Sequence, residues 1–286
     1  MPGKPRSSSS SRKRRRRLDP DDPHFIAGIH HYCDRWCERC LFSHRCFKFA
    51  YTEQILGKNI TIPHRRSGTI TVFDALARVL SEARHDVEIA AHKLGGAPDD
   101  QKLIANVAVE KRIQRRAMRA GARETKAAHT YARMVDEWFN NELQLPLRHI
   151  RSLEARVRDG TISVTDAKGD LVRLNDSVEV IRWHQHLIYV KLCRAFSSKV
   201  EEEVRREKRP KDSDGSAKVA LLSLDFSIEA WSQLCEMFPV KSDSILEILV
   251  HLDRLRRAVL TKFPKARRFA RPGFDAKAPR KKRRQS

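Results

Sequence analysis

The sequence predicts an all-α protein, a multi-helix bundle of six or seven helices that follows a short cysteine-rich, metal-binding segment. Apolar residues recur at spacings of three and four through most of the chain, which is typical of amphipathic helices. Four of the six cysteines fall within residues 33–46, which is not the even spread of a disulfide framework. These two patterns give the fold class and locate the most informative site.

The helical pattern extends over residues 71–264. Its first predicted helix runs from Phe73 to Leu94 and stops at Gly95-Gly96, because glycine favours the end of a helix. The other predicted helices cover residues 100–120, 122–143, 147–158, 176–207, 217–238 and 243–263. The short connections between them favour antiparallel neighbours in a bundle.

Three connecting segments depart from this pattern. The stretch DGTISVTDAKGDLVRLND predicts a small β-hairpin at about 160–175, with strands at 161–164 and 171–174 around a DAKGD turn. Residues 208–215 (KRPKDSDG) predict a mobile turn between two helices. Residues 271–275 (RPGFD) lie just past the last helix and predict a loop that folds back and docks.

The charge is concentrated at the two ends of the chain. Of the formal net charge of +22, residues 1–17 contribute eight Lys or Arg without an acid, and residues 265–286 contribute ten with one acid, Asp275. Such runs repel themselves and bury nothing, so we expect disordered tails that bind nucleic acid non-specifically. The predicted organisation is a disordered basic tail (1–18), a cysteine-rich segment and connector (19–70), the helical bundle (71–264) and a carboxyl-terminal segment with a basic tail (265–286).

The composition also predicts a cytoplasmic protein that does not enter a membrane. No window approaches the ~20 consecutive apolar residues that a membrane span needs. The amino-terminal basic run leads into LDPDDPHF, whereas a secretory signal would continue into an apolar stretch. Clustered cysteines fit reduced thiols in the cytoplasm.

The cysteine cluster predicts a metal site with Cys33, Cys37, Cys40 and Cys46 as ligands. The segment HYCDRWCERCLFSHRCFKF has the spacing C-x3-C-x2-C-x5-C. The alternative is that Cys33, Cys37 and Cys40 line one buried helix face, which leaves Cys46 unexplained. Four adjacent thiols are better explained as ligands of one metal centre.

Two cofactors suit four thiolates, a 4Fe-4S cluster and Zn2+. Structural zinc usually draws on two C-x2-C hooks separated by a dozen or more residues, and only Cys37 and Cys40 form such a hook here. A compact run of four cysteines favours the cluster, because each of its irons takes one thiolate. Trp36, Phe42 and Phe47 would provide an apolar wall around it.

Two known motifs resemble the cysteine segment. CERCLFSHRC (37–46) is similar to the C-x2-C-x5-C iron–sulfur segment of RecB-family and CRISPR-associated exonucleases. That resemblance implies cluster ligands without nuclease activity, since the nuclease core needs a mixed sheet and an E-x-K motif, and Glu124-Thr125-Lys126 lies in a helical pattern. C-x3-C-x2-C also looks like the radical-SAM signature, but a fourth cysteine closes the cluster that this family leaves open at one iron.

A broader resemblance covers nearly the whole body of the chain. HYCDRWCERC, GSAKVALL (215–222) and FPKARRFARPGFD (263–275) resemble segments of an uncharacterised family of bacterial proteins. The resemblance implies no particular activity.

Two further groups of side chains bear on function. A basic helical face predicts a nucleic-acid contact or, alternatively, a solvated surface; its members are Lys111, Arg112, Arg115, Arg116, Arg119 and Arg123. The pair Glu82 and His85 matches half of a ferritin-like di-iron signature. A second carboxylate and histidine group contains Asp176, Glu179, His184 and His186.

Three functions are therefore open. The first is a metal-binding helical protein with a structural, redox or sensing role. The second is a zinc-stabilised protein that associates with nucleic acid. The third is a di-iron or redox enzyme, and the sequence does not decide whether the protein is an enzyme.

Overall fold

The computed structural model describes residues 18–56, 100–205 and 212–275, and within them it contains seven α-helices and no strand. The prediction of an all-α multi-helix bundle is confirmed. The helices are α1 (Phe47–Leu56), α2 (Asp100–Ala120), α3 (Ala122–Asn141), α4 (Leu145–Arg158), α5 (Val164–Arg205), α6 (Asp212–Met237) and α7 (Ser242–Lys262). The extreme basic tails, the predicted helix 73–94 and the Glu82–His85 pair lie outside the described residues.

The predicted β-hairpin at about 160–175 is wrong, because most of this segment belongs to the 42-residue helix α5. Gly160, with a φ of 71°, ends α4. Ser163 then starts the next helix, since its hydroxyl accepts a hydrogen bond from the Asp166 amide at 3.0 Å. Ala167 and Leu174 are buried on the face that α5 turns to the bundle, so tertiary packing outweighs the local preference of β-branched residues.

The predicted mobile turn at 208–215 is wrong in its second half. Helix α6 already begins at Asp212, and residues 208–211 lie outside the described part of the chain. The Asp212 carboxylate accepts hydrogen bonds from Arg194 at 2.9 Å and from Ser198 at 2.6 Å. The Ser213 amide donates to Glu202 at 2.9 Å. These three partners lie on α5 and hold the start of α6 in place.

The core lies between α3, α5, α6 and α7 and contains several aromatic side chains. Tyr131 and Trp231 are fully buried, and the Trp231 indole N–H donates to the Tyr131 hydroxyl at 3.1 Å. Trp138 packs edge-on against Trp231 with ring centroids 5.1 Å apart. This core holds α5 and α6 firmly, and the cysteine segment packs on them. No described helix is both long enough and apolar enough to cross a membrane.

Candidate metal centre

The four clustered cysteines lie in irregular backbone before α1. We call residues 18–46 the cysteine segment; it folds into three single 3-10 turns, Ile29–His31, Cys37–Arg39 and Ser43–Arg45. The amide of Cys40 donates to the Cys37 carbonyl, and the amide of Cys46 donates to the Ser43 carbonyl. The alternative in which Cys33, Cys37 and Cys40 share a helix face is therefore wrong. Short turns instead let successive cysteines point toward a common interior.

All four of these cysteines line one partly open cavity of about 300 Å³. Ile29, Trp36, Phe49 and Phe274 supply its apolar walls. The remaining two cysteines, at positions 193 and 235, lie on α5 and α6 and do not border it. All six cysteines are free thiols. The structure thus brings together the predicted ligands and separates them from the other cysteines.

The thiols in this cavity interact electrostatically. Burial raises the pKa of Cys37 to about 11, and the neighbouring Cys33, Cys46 and Cys40 each raise it further. Burial also raises the pKa of Cys33. Thiols that repel one another's negative charge in this way need a cation to become thiolates together. Within the described residues, however, no three His, Cys, Asp or Glu side chains are placed so that they could hold a metal ion.

A buried lysine lies beside the cavity. Lys191 on α5 is only 4% exposed, and its ammonium donates to the His31 carbonyl at 3.4 Å. Burial lowers the pKa of Lys191 to about 8, while the nearby Cys33 favours its charged form. Among the described residues it forms no ion pair with a carboxylate. A cation in this position would be stabilised by negative charge on the cysteines.

One side of the cysteine segment is anchored on α5 by a tryptophan stack. Trp36 stacks on Trp183 with centroids 4.9 Å apart, and the Trp183 indole donates to the Asp34 carbonyl at 3.0 Å. The Arg39 guanidinium lies 4.0 Å from the centroid of the Trp36 ring. It also bonds Asp176 and Glu179, each at 2.5 Å. These two carboxylates therefore hold the cysteine segment.

The histidines of that second carboxylate and histidine group do not join it in a site. His184 is buried beside Trp36 and Phe226, and burial lowers its pKa to about 4, so the ring is neutral at pH 7. His186 is exposed and contacts Gln185 through its Nε2. The four side chains serve packing and ion pairing.

A second anchor joins the segment to the start of α6. The Tyr32 hydroxyl donates to Asp212 at 2.8 Å, and the Tyr32 ring lies 4.7 Å from that of Phe269. Both rings lie directly over Gly215. A Cβ at that position would be 2.3 Å from the Tyr32 ring and 2.8 Å from the Phe269 ring. Glycine is needed here to allow close approach.

The carboxyl-terminal residues fold back as predicted and close the cavity. Phe274 lines it and meets Phe42 edge-on at 5.3 Å. Gly273, with a φ of 79°, approaches Ile29 so closely that a Cβ would lie 2.9 Å away. The Lys218 ammonium bonds both the Phe269 carbonyl and the Asp275 carboxylate at 2.7 Å. Lys191, Trp183 and Lys218 are site residues that no local sequence pattern identifies.

The predicted basic face lies away from this cavity, on α2 and the beginning of α3. All of its members are exposed: Lys111, Arg112, Arg115, Arg116, Arg119 and Arg123. The face packs its opposite side on the distal half of α5, through Ile113, Ala117 and Val200.

Comparison with other proteins adds no assignment to this geometry. No protein family, curated protein or solved structure matches the chain. The resemblances of the cysteine segment to iron–sulfur motifs therefore stay predictions, and the functional conclusion depends on the site itself.

Proposed function

We propose that Cys33, Cys37, Cys40 and Cys46 bind a 4Fe-4S cluster that joins both ends of the folded chain to the helical bundle. The observation that carries this proposal is that four of the six cysteines, and only these four, line one cavity within the described residues. Their donor atoms are soft sulfurs, which suit iron–sulfur clusters and zinc. The apolar walls suit a cofactor that must be shielded from water and oxidants.

Two features favour the cluster over zinc. A zinc ion needs four sulfurs at about 2.3 Å from a single point, whereas the irons of a cluster take their thiolates at separate corners. Thiols spread around a cavity of about 300 Å³ resemble the second arrangement more closely. Lys191 supplies a buried positive charge for an anionic centre of either kind.

The surroundings of the cavity support a structural role together with redox or sensing chemistry. The cysteine segment contacts α5 through Trp183, α6 through Asp212 and the carboxyl-terminal segment through Phe274. A cofactor held there would stabilise all three contacts, and its loss would loosen them. The proposal places the protein in the reducing cytoplasm, where thiols persist.

Anaerobic purification tests the cofactor directly. We expect a brown protein that contains about four irons and four acid-labile sulfides per chain. A colourless protein with one zinc per chain would instead support the zinc-stabilised, nucleic-acid-associated alternative. Iron without sulfide would support a di-iron enzyme. A freshly isolated chain without any transition metal would contradict every form of the proposal.

Replacement of Lys191 with methionine is expected to lower the reduction potential of the bound cluster. A buried ammonium next to Cys33 stabilises the more negative, reduced state of the cluster. Its removal should reduce the reduced-to-oxidised ratio at the wild-type midpoint about tenfold, a shift of ~59 mV for one electron. Potentiometric titration measures the shift in a variant with unchanged iron and sulfide content.

Lys191→Arg serves as the control for this measurement, because it keeps the charge while it changes the shape. A potential close to that of the wild type in Lys191→Arg, together with a lower one in Lys191→Met, identifies charge as the cause. Equal potentials in all three proteins would show that Lys191 acts only in packing.

A further inference from the structure

The basic face forms a groove that the metal centre does not use. Five of its members line a shallow groove along α2, with Ala108 at one end; they are Lys111, Arg112, Arg115, Arg116 and Arg119. Arg123 extends the face onto α3. Such a concentration of positive charge on one helix creates a strong local attraction for anions.

The acidic residues nearest in sequence leave this charge uncompensated. Glu110 bonds Arg205 on α5 at 2.5 Å, and Glu124 is buried on the inner side of α3. Of the six basic residues, Arg116 alone forms an ion pair with a described residue, Glu203 at 3.3 Å. A merely solvated surface on a helix usually alternates its charges, and the groove does not.

The spacing of the basic side chains fits a phosphate backbone. Lys111, Arg115 and Arg119 follow one another at four-residue intervals, about 6 Å along the helix axis. Every second phosphate along a strand of B-form DNA is separated by about 6.8 Å along its axis. Five of the six residues are arginines, whose planar guanidinium groups bind phosphate oxygens in pairs.

Other anionic partners fit less well. Single-stranded nucleic acid is usually bound by stacking of bases on aromatic side chains, and the described lining of the groove contains no aromatic ring. A membrane-bound helix needs an apolar stripe, but the exposed apolar side chains of α2 are the separate Val107 and Met118. We therefore propose that the basic groove of α2 binds the phosphate backbone of duplex DNA without base specificity.

Titration of a fluorescent DNA duplex into the full-length protein tests this proposal. The triple variant Arg112→Gln, Arg115→Gln, Arg119→Gln removes three contacts from the groove. We expect its dissociation constant to rise by a factor on the order of ten, and the slope of log K against log salt to decrease by about 2.7. The tails are present in every protein compared, so the difference reports the groove.

The matched control removes the same charge elsewhere. Arg151, Arg156 and Arg158 on α4 are exposed and form no ion pair with a described residue, so their replacement with glutamine alters the net charge equally. We expect the control to keep both affinity and slope within about a factor of two. Equal losses in both variants, or no loss in either, would overturn the proposal, since binding would then depend on total charge or on the tails.

Two further measurements protect the result. The variant with lysine at positions 112, 115 and 119 keeps the charge and is expected to retain the salt slope, which excludes unfolding as the cause of a loss. Single-stranded DNA or poly-glutamate that competes as well as the duplex at equal charge would show a general anion surface and would also overturn the proposal.

Discussion

Replacing Cys37 with serine is expected to abolish stable cofactor binding. The pKa of Cys37 is raised by all three of the other cysteines, so its sulfur lies near the centre of the group. Serine offers a hard oxygen in place of a soft sulfur and leaves one corner of a cluster without a thiolate. We expect iron and sulfide content after anaerobic purification to fall to a small fraction of the wild-type value.

The same substitution should lower stability, because cofactor binding contributes folding free energy. Structural tetrathiolate sites contribute apparent free energies on the order of 10 kcal/mol, although much of this is lost to proton release and ordering of the segment. We expect a lower melting temperature than in the wild type, and the difference should vanish once a chelator has stripped the metal from both proteins.

Cys193→Ser is the matched control for Cys37→Ser, since Cys193 is also half-buried and lies on α5 away from the cavity. It should keep full iron and sulfide content. Full metal content in the Cys37 variant would instead show that the ligand assignment is wrong.

Replacing Gly215 with alanine is expected to detach the cysteine segment from the bundle. Gly215 lies inside α6, where alanine would ordinarily stabilise a helix by about 0.5–1 kcal/mol. Here the new Cβ would lie 2.3 Å from the Tyr32 ring, which must move. That movement breaks the 2.8 Å hydrogen bond from Tyr32 to Asp212. Overpacking and the lost charged hydrogen bond together cost roughly 2–4 kcal/mol, so destabilisation wins.

Denaturant unfolding measures this loss, and limited proteolysis locates it. Cleavage within residues 18–56 should become faster, while α7 stays protected. Gly169→Ala is the matched control, because Gly169 also lies inside a helix but has no other atom within 4 Å of the position that a Cβ would take. It should stabilise the protein slightly. A Gly215→Ala protein as stable as the Gly169→Ala protein would show that the Tyr32 contact is weak.

The bundle and the cysteine group were predictable because each depends on local spacing. Helical periodicity is a property of neighbouring residues, and so is the proximity of Cys33 to Cys46. The error at about 160–175 had a local cause as well. Ser163 and Asp166 form a helix start that resembles a capping box, and this signal was available in the sequence beside the β-branched residues that predicted a hairpin.

The rest of the site depends on contacts between distant segments, which no local pattern contains. Trp183 meets Trp36 from the middle of α5, and Lys218 meets Asp275 across 57 residues. The short helix α1 was also missed. Its apolar residues do not form one clear stripe, so periodicity does not distinguish it from a connector.

The distance in sequence between the parts of the centre has a consequence for how the protein is made. Tyr32 is bonded to a residue 180 positions further along the chain. The four thiols therefore emerge from the ribosome long before the helices that shelter them have been synthesised. A factor that delivers iron and sulfide would find no finished receptacle on the nascent chain, so maturation of the centre is expected to follow translation of residue 275.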